Sequence, residues 1–210
     1  MIFKEGDVEY EFREVDGKYG FYNVNNERYE GSTTSIYTLE RSLNIINSSA
    51  IGNLVINQLI ESSETLTFEF TFQENGTDNE TYTNSNGQIV ERSSTISWNP
   101  SNTRGGSSLD TDGNITTVRP AYVGLAHEIG HAYDHIILNG KWGSQLWYNT
   151  KTETIDKSEF FAGTFENIIR FENNISPRIY YGRNSREGSY LKTPKLTTII
   201  FLYMANLKTD

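Results

Sequence analysis

The segment His127-Glu128-Ile129-Gly130-His131 constrains this chain more than any other, because it matches the pattern H-E-x-x-H. Two histidines four residues apart on a helix lie on one face, about one turn apart along the axis, so both imidazoles can bind one metal ion. The glutamate between them can contact a water molecule on that ion but not the ion itself. Zinc lowers the pKa of such a water to about 7, and the carboxylate takes its proton as the water attacks a carbonyl carbon. The pattern predicts zinc bound by His127 and His131, with Glu128 as general base and then as proton donor to the leaving amine.

The residues around the motif have the pattern of a buried helix. Apolar side chains cover a broad surface from residue 120 to about residue 139, where Asn139-Gly140 provides a helix stop. In a chain with three histidines, the motif is expected by chance only about 0.004 times. His135 would lie about 12 Å along the axis from His127, so we expect it at the helix end, outside the ligand set. Asp134 either accepts a hydrogen bond from an imidazole or is a solvated helix carboxylate.

Catalytic zinc usually has three protein ligands, so a third is expected outside the motif. A second helix is predicted for residues 158–173, where Glu159, Gly163, Glu166 and Arg170 form one polar stripe. We interpret the glycine in this stripe as a mark of close approach to the metal. Glu159 is the predicted third ligand, although residues 156–159 also form a helix-start pattern in which the glutamate is only a cap. Glu166 is either a structural ion-pair partner of Arg170 or a support for the zinc ligands, and the choice between Glu159 and Glu166 as ligand stays open.

Attack of the metal-bound water on a carbonyl also needs a donor near the oxyanion that develops there. The candidates are Tyr148, Arg178, Tyr180 and Tyr181, of which we select the last three as candidate catalytic residues.

The order of elements predicts an α+β fold. A hairpin turns at Asp16-Gly17, and two helices between residues 35 and 62 break near Ser48-Ser49. Strand alternation at residues 66–72 is followed by a long loop or exposed hairpin at residues 73–94. Further expectations are a short strand at residues 95–98 that forms the edge of a substrate cleft, a loop at residues 101–114, a strand at residues 115–118 and a short C-terminal helix in the apolar segment 199–205.

Composition excludes several classes of function. The chain has 210 residues and a formal charge of −9, which argues against binding to nucleic-acid phosphates or to an anionic membrane surface. It has no cysteine, which excludes disulfide scaffolds, cysteine-ligated metal sites and thiol nucleophiles. We see neither a signal peptide nor an apolar run near the length of about 20 residues that spans a bilayer, so a soluble protein is expected.

The stretch at residues 124–134 resembles the active-site helix of NleD-type effector metallopeptidases and of related toxin domains at the ends of Rhs-repeat proteins. A second segment agrees, with Glu159, then Glu-Asn-Ile-Ile-Arg at residues 166–170, then Pro177-Arg178 and Tyr180-Tyr181. The similarity extends over about residues 95–182. It implies a zinc endopeptidase delivered by a bacterial secretion system into another cell, with a protein or peptide substrate.

These arguments predict one zincin-like metallopeptidase domain over residues 1–210, with a small mixed or antiparallel sheet. Residues 1–94 form N-terminal strands and helices, residues 95–182 the catalytic core and residues 183–210 a tail. The protein is expected in the cytoplasm of the producing cell before export, with an immunity or inhibitor protein as a further partner. Two alternatives stay open: an inactive binding module with a vestigial site, and a zinc hydrolase of a non-peptide substrate.

Overall fold

The computed structural model describes residues 1–31, 33–109, 114–143, 145–149, 154–181 and 191–192. Four helices occur in these ranges: α1 (Thr34–Asn47), α2 (Ala50–Glu61), α3 (Ala121–Ile136) and α4 (Lys157–Glu172). The strands there are β1 (Ile2–Glu5), β2 (Val8–Val15), β3 (Lys18–Tyr22), β4 (Thr65–Phe70), β5 (Gly76–Thr83), β6 (Ile89–Trp98), β7 (Arg104–Leu109), β8 (Ile115–Val118), β9 (Leu146–Asn149), β10 (Thr154–Asp156), β11 (Arg178–Tyr181) and β12 (Leu191–Lys192). The α+β expectation is confirmed at this level.

Six strands form a mixed sheet in the order β3-β2-β1-β4-β6-β5. Its β1–β4 and β4–β6 pairs are parallel, while the other neighbours run antiparallel. The predicted hairpin is β2–β3, whose turn places Asp16 and Gly17 at positive φ. The parallel pair β1–β4 needs a long crossover, which α1 and α2 supply.

The two crossover helices break where the sequence predicted. The side chain of Ser49 caps α2 by accepting a hydrogen bond from the Gly52 amide at 3.0 Å. Cβ of any larger residue at position 52 would lie 1.9 Å from the Ile46 carbonyl oxygen, so only glycine permits this tight turn between the helices. Both helices contribute buried apolar side chains to the core.

One apolar cluster joins the sheet to the helices. It contains Phe12 and Phe21 from the β2–β3 hairpin, Leu43 of α1, Ile129 of α3 and Phe165 of α4, all between 0% and 1% exposed. Burial of this much apolar and aromatic surface is the main favourable term in folding. The helix α3 packs on β5 and β6 on one side and on α4 on the other. The motif helix is therefore held in place by the core.

Two strand expectations are wrong. Residues 95–98 belong to the C-terminal half of β6, which lies between β4 and β5, so they are not an edge. The edge strands of this sheet are β3 and β5. The predicted loop at 101–114 contains β7, which pairs with β8 and β11 in a second sheet of order β12-β11-β7-β8. The 73–94 region is the exposed β5–β6 hairpin, one of its two predicted forms.

The C-terminal expectation concerns residues that the structure does not describe. The apolar segment 199–205 lies outside the described ranges. Among the described residues, no helix combines the length and the apolar character that crossing a bilayer requires.

Candidate metal centre

The helix α3 supplies His127, Glu128 and His131 from its middle. Neighbouring residues Val123, Leu125 and Ile129 are fully buried, which fixes the helix against the core. His127 and Glu128 are 8% and 7% exposed. The two imidazole rings lie 5.0 Å apart between centroids, nearly perpendicular at 78°. This is the convergent arrangement expected from an i, i+4 pair.

The third member of the cluster is Glu159, from the first turn of α4. Its Oε2 lies 3.2 Å from His127 Nε2 and 3.4 Å from His131 Nε2. Among the described residues, these three form the group whose ligand atoms all lie within 4.8 Å of one another. Glu128 is not a member of that group.

The spacing of these atoms suits a shared ion, and the shorter contact, 3.2 Å between His127 and Glu159, also lies at the long end of the hydrogen-bond range. Zinc–nitrogen and zinc–oxygen bonds of about 2.0–2.1 Å place neighbouring ligands of a tetrahedral ion about 3.3–3.4 Å apart. A charge-assisted N–H···O hydrogen bond is shorter, about 2.7–2.9 Å. The observed 3.2 Å and 3.4 Å lie close to the tetrahedral value. The donor set, two imidazoles and one carboxylate, is also one that zinc takes in hydrolases.

Glu166 supports the site from behind and is completely buried. Its Oε2 lies 3.2 Å from Nδ1 of His127, the ring nitrogen opposite the metal side. Its carboxylate also contacts Arg119 at 3.3 Å, Arg170 at 2.9 Å and Arg178 at 3.2 Å. This contact has an ion-pair distance but not the geometry of a hydrogen bond, so the carboxylate favours by its charge the ring orientation in which Nε2 faces Glu159. Of the two roles open for Glu166, the geometry favours support of the ligands, with Arg170 as one of three ion-pair partners.

Electrostatics in the metal-free protein follow from these contacts. Burial lowers the pKa of His127, but the carboxylates of Glu159 and Glu166 outweigh it and raise the pKa to about 9. Burial raises the pKa of Glu159, but the two imidazoles hold it far below the usual range. Glu166 behaves likewise, since His127 and the guanidinium groups outweigh its burial and hold its pKa low. The metal-free site therefore carries protons on imidazole that a metal must displace.

Glu128 has a partner outside α3. The hydroxyl of Thr77, on β5, donates to Glu128 Oε2 at 2.9 Å and lies 3.2 Å from its carbonyl oxygen. The edge strand thus contacts the predicted catalytic base directly.

Close packing of α3 on α4 brings Glu159 to the histidines. Cβ added to Gly130 would lie 2.8 Å from Cα of Ala162, which is shorter than any real contact of this kind. Cβ added to Gly163 would meet no described atom within 4 Å. Gly130, inside the motif itself, is therefore the glycine that permits the close helix–helix contact, and the interpretation of Gly163 as a mark of close approach to the metal stays a prediction.

The remaining polar residues of α3 serve structural contacts. His135 Nε2 lies 2.8 Å from the carbonyl oxygen of Glu80 on β5, and His135 is not a member of the group formed by His127, His131 and Glu159. Asp134 is 3% exposed and accepts the backbone N–H of Trp142 at 3.1 Å, which ties down the chain after the helix. It is not a solvated carboxylate.

The three selected oxyanion donors, Arg178, Tyr180 and Tyr181, belong to β11, and Tyr148 belongs to β9. Asn167 of α4 pairs with the backbone of Arg178 through two hydrogen bonds, at 3.0 Å to its carbonyl oxygen and 2.6 Å from its amide. The Arg178 side chain is directed to Glu166. The backbone of Tyr180 and Tyr181 continues β11, while their side chains, like that of Tyr148, lie outside the described part of the structure. Their oxyanion role stays a prediction.

Comparison with known families decides the affiliation. The family model described as "Peptidase_M91: Effector protein" matches residues 25–166, more than half of the chain. The chain belongs to the M91 peptidase effector family. Comparison with curated proteins gave no match.

The M91 match contains every residue of the candidate centre, from His127 to Glu166, and the resemblance stated from the sequence is confirmed. Its boundaries differ from those assigned to the resemblance. The match begins at residue 25, before α1, whereas the similarity was placed at residues 95–182. It therefore includes Thr77 of β5, which sequence reasoning did not select.

Two residues of this M91 site were missed from the sequence. Arg119 lies just before α3, and its guanidinium group contacts Glu166 of α4. No local sequence pattern indicates this contact. Thr77 lies in a polar segment rich in Asn, Thr and Glu, where a single threonine carries no signal. Both are found only when distant segments are brought together.

Proposed function

We propose that this M91 effector is a zinc-dependent endopeptidase built as one zincin-like domain. The observation that carries the proposal is the convergence of His127, His131 and Glu159 at distances near those of a tetrahedral zinc ion. These three residues would hold the metal. Glu166 would orient His127, and its three arginine partners would keep Glu166 ionised in the core.

Zinc at this centre would polarise the scissile carbonyl and acidify the attacking water. Glu128 would take the proton of that water and pass it to the leaving amine. Its low exposure keeps the carboxylate near the reacting atoms and away from bulk solvent. Its position outside the metal-ligand group agrees with a base rather than a ligand.

The edge strand β5 is the surface on which an extended peptide would lie. It is one of the two terminal strands of its sheet, and it is distinguished by Thr77, which reaches Glu128. A peptide added to a strand edge gains main-chain hydrogen bonds and presents its scissile bond along the strand. This assignment replaces residues 95–98, which lie inside the sheet.

The family points to a protein substrate and to action outside the producing cell. We propose a bacterial effector or toxin that is translocated into a target cell. The formal charge of −9 favours basic or neutral substrate segments. An immunity or inhibitor protein in the producing cell is the partner that such a toxin would require.

The test is peptide cleavage by Glu128→Gln, which keeps the size of the side chain but removes the base. We expect proteolysis of a mixed peptide library to fall by about 10²- to 10⁴-fold, while zinc content stays near one per chain. Glu172→Gln is the matched control, since Glu172 is an exposed glutamate at the end of α4. Loss of zinc in Glu128→Gln would make Glu128 a ligand, and full activity would remove it from the mechanism. A metal-loaded wild type that cuts no peptide would leave the inactive-module and non-peptide alternatives.

A further inference from the structure

The Thr77 hydroxyl contacts both the carboxylate of Glu128, at 2.9 Å, and its backbone carbonyl oxygen, at 3.2 Å. Thr77 lies on the edge strand β5, paired with Ile96 of β6, and its hydroxyl donates to the Glu128 carboxylate. The acceptor is one of the two oxygens of the predicted base. The contact joins residues 51 positions apart in the sequence, so its geometry depends on how β5 lies along α3.

Asn75, just before β5, and the strand itself contact the helix at several points. Cβ built on Gly124 would lie 2.7 Å from Nδ2 of Asn75, so Asn75 lies directly against the helix there. Thr77 contacts Glu128, and the carbonyl oxygen of Glu80 lies 2.8 Å from His135 Nε2.

The spacing of these points matches along both elements. From 124 to 128 the helix rises about 6 Å and from 128 to 135 about 10.5 Å. From 75 to 77 an extended strand advances about 7 Å and from 77 to 80 about 10 Å. The two elements therefore run side by side in one direction with their contacts in register. This register places Thr77 beside Glu128 along the axis of α3.

A carboxylate beside a metal centre has two competing positions. It can bind the ion itself, or it can stay outside and serve the water. The Thr77 hydroxyl occupies Oε2 of Glu128 and leaves Oε1 for a proton in transfer. A hydrogen bond to an ionised group is among the stronger ones available to a side chain.

We propose that Thr77 is a positioning residue that holds the Glu128 carboxylate outside the metal-ligand set and in the orientation for proton transfer. The inference rests on the proposed zinc peptidase function. It deepens that function by assigning to the substrate edge strand a second role in the chemistry.

The test compares Thr77→Val, which removes the hydroxyl at nearly constant volume, with Thr77→Ser, which keeps it. Thr81→Val is the matched control, since Thr81 lies four residues along the same strand and its hydroxyl is 3.5 Å from His135 rather than at Glu128. For Thr77→Val we expect kcat to fall about 10- to 100-fold, the range for groups that orient a metal site from outside. We expect KM and zinc content to stay within about twofold. Thr77→Ser should restore kcat to within about threefold of wild type, and Thr81→Val should match wild type.

A second readout does not depend on activity. Co²⁺ absorbs weakly when five-coordinate and strongly when tetrahedral, so its visible spectrum reports whether Glu128 has entered the coordination sphere. We expect Thr77→Val to weaken and shift the Co²⁺ bands, and Thr77→Ser and Thr81→Val to leave them as in wild type. If Thr77→Val shows no cooperative unfolding and is therefore not folded, Thr77→Ala replaces it in the same comparisons with Thr77→Ser and Thr81→Val.

The two proposals fail differently. The role of Thr77 is overturned, while the peptidase function stands, if Thr77→Val has the kcat of the wild type. The same conclusion follows if Thr77→Ser or Thr81→Val loses as much kcat as Thr77→Val. If the wild type binds zinc and cuts no peptide, the proposed function fails. The Co²⁺ spectra then decide for Thr77, since a change confined to Thr77→Val supports positioning and unchanged spectra contradict it.

Discussion

Substitution of Gly130 by alanine tests whether the contact between α3 and α4 sets the metal site. The added Cβ would lie 2.8 Å from Cα of Ala162, and ordinary contact begins at 3.4 Å. The contacted atom of Ala162 is its Cα, a backbone atom that no side-chain rotation can move away. The two helices must therefore separate by about 0.6 Å. The helix α3 carries both imidazoles and α4 carries Glu159, one turn before Ala162.

The size of the expected effect follows from this shift. Distances at a functional metal site hold to about 0.2 Å, so a separation of about 0.6 Å exceeds what the ligands tolerate. We expect the zinc affinity of Gly130→Ala to fall at least about tenfold. Overpacking costs about 1–3 kcal/mol, against a gain of about 1 kcal/mol in helix propensity.

Gly163→Ala is the matched control because it makes the same chemical change in the partner helix. Its Cβ meets no described atom within 4 Å. It should gain up to about 1 kcal/mol in free energy of unfolding and keep its zinc affinity. Thermal unfolding of the metal-free proteins and zinc competition against a chromophoric chelator measure both quantities. The packing argument is refuted if Gly130→Ala binds zinc as tightly as Gly163→Ala and unfolds at the same temperature.

Three further predictions concern the ligands and the charges around them. Glu159→Gln should abolish stoichiometric zinc binding, whereas Glu166→Gln should keep one zinc site per chain with about 10- to 100-fold weaker affinity. Elemental analysis and competition titration distinguish the two variants. The reverse result would exchange the roles of Glu159 and Glu166. His135→Gln should leave zinc affinity unchanged, because His135 contacts the Glu80 carbonyl oxygen and not the centre; a loss of zinc in equilibrium dialysis would contradict this placement. Zinc affinity should rise with pH up to about 9, because the raised pKa of His127 means that the ion displaces a proton below that value. Isothermal titration in buffers of different ionisation enthalpy counts the released protons. Zinc affinity that is independent of pH from 6 to 8 would argue against this charge state.

The helical half of the site was predictable because its signals are local. The spacing of His127 and His131 fixes their common face on any helix, and the apolar pattern around them predicts that the helix is buried. The boundaries of α4 were expected at residues 158–173 and lie at Lys157–Glu172. Both helices follow from periodicity over more than ten residues.

The helical pattern did not decide which of Glu159 and Glu166 is the metal ligand. A helical wheel places both on one polar stripe. What separates them is the position of α3, which brings Glu159 to the Nε2 side of His127 and Glu166 to its Nδ1 side. The guanidinium groups that hold Glu166 come from α4, β11 and the segment before α3, so no single segment reveals them.

The strands were harder to predict where their side chains carry no alternation. The strand β7 has the sequence Arg-Gly-Gly-Ser-Ser-Leu, whose glycines and serines favour a loop. Its pairing with β8 and β11 makes it a strand, and pairing is not visible in a single segment. The misplaced cleft edge has the same cause, since the exposed and polar β5 was taken as a loop or hairpin and the more apolar β6 as the edge.

The most direct test of the account is an anomalous difference map at the zinc absorption edge from crystals of the zinc-loaded protein. We expect one peak per chain, about 2.0–2.2 Å from Nε2 of His127, Nε2 of His131 and a carboxylate oxygen of Glu159. Glu128 should lie beyond bonding distance, with its carboxylate on Thr77. A peak held by other residues, a peak with Glu166 in place of Glu159, or no peak after loading would contradict the central claim.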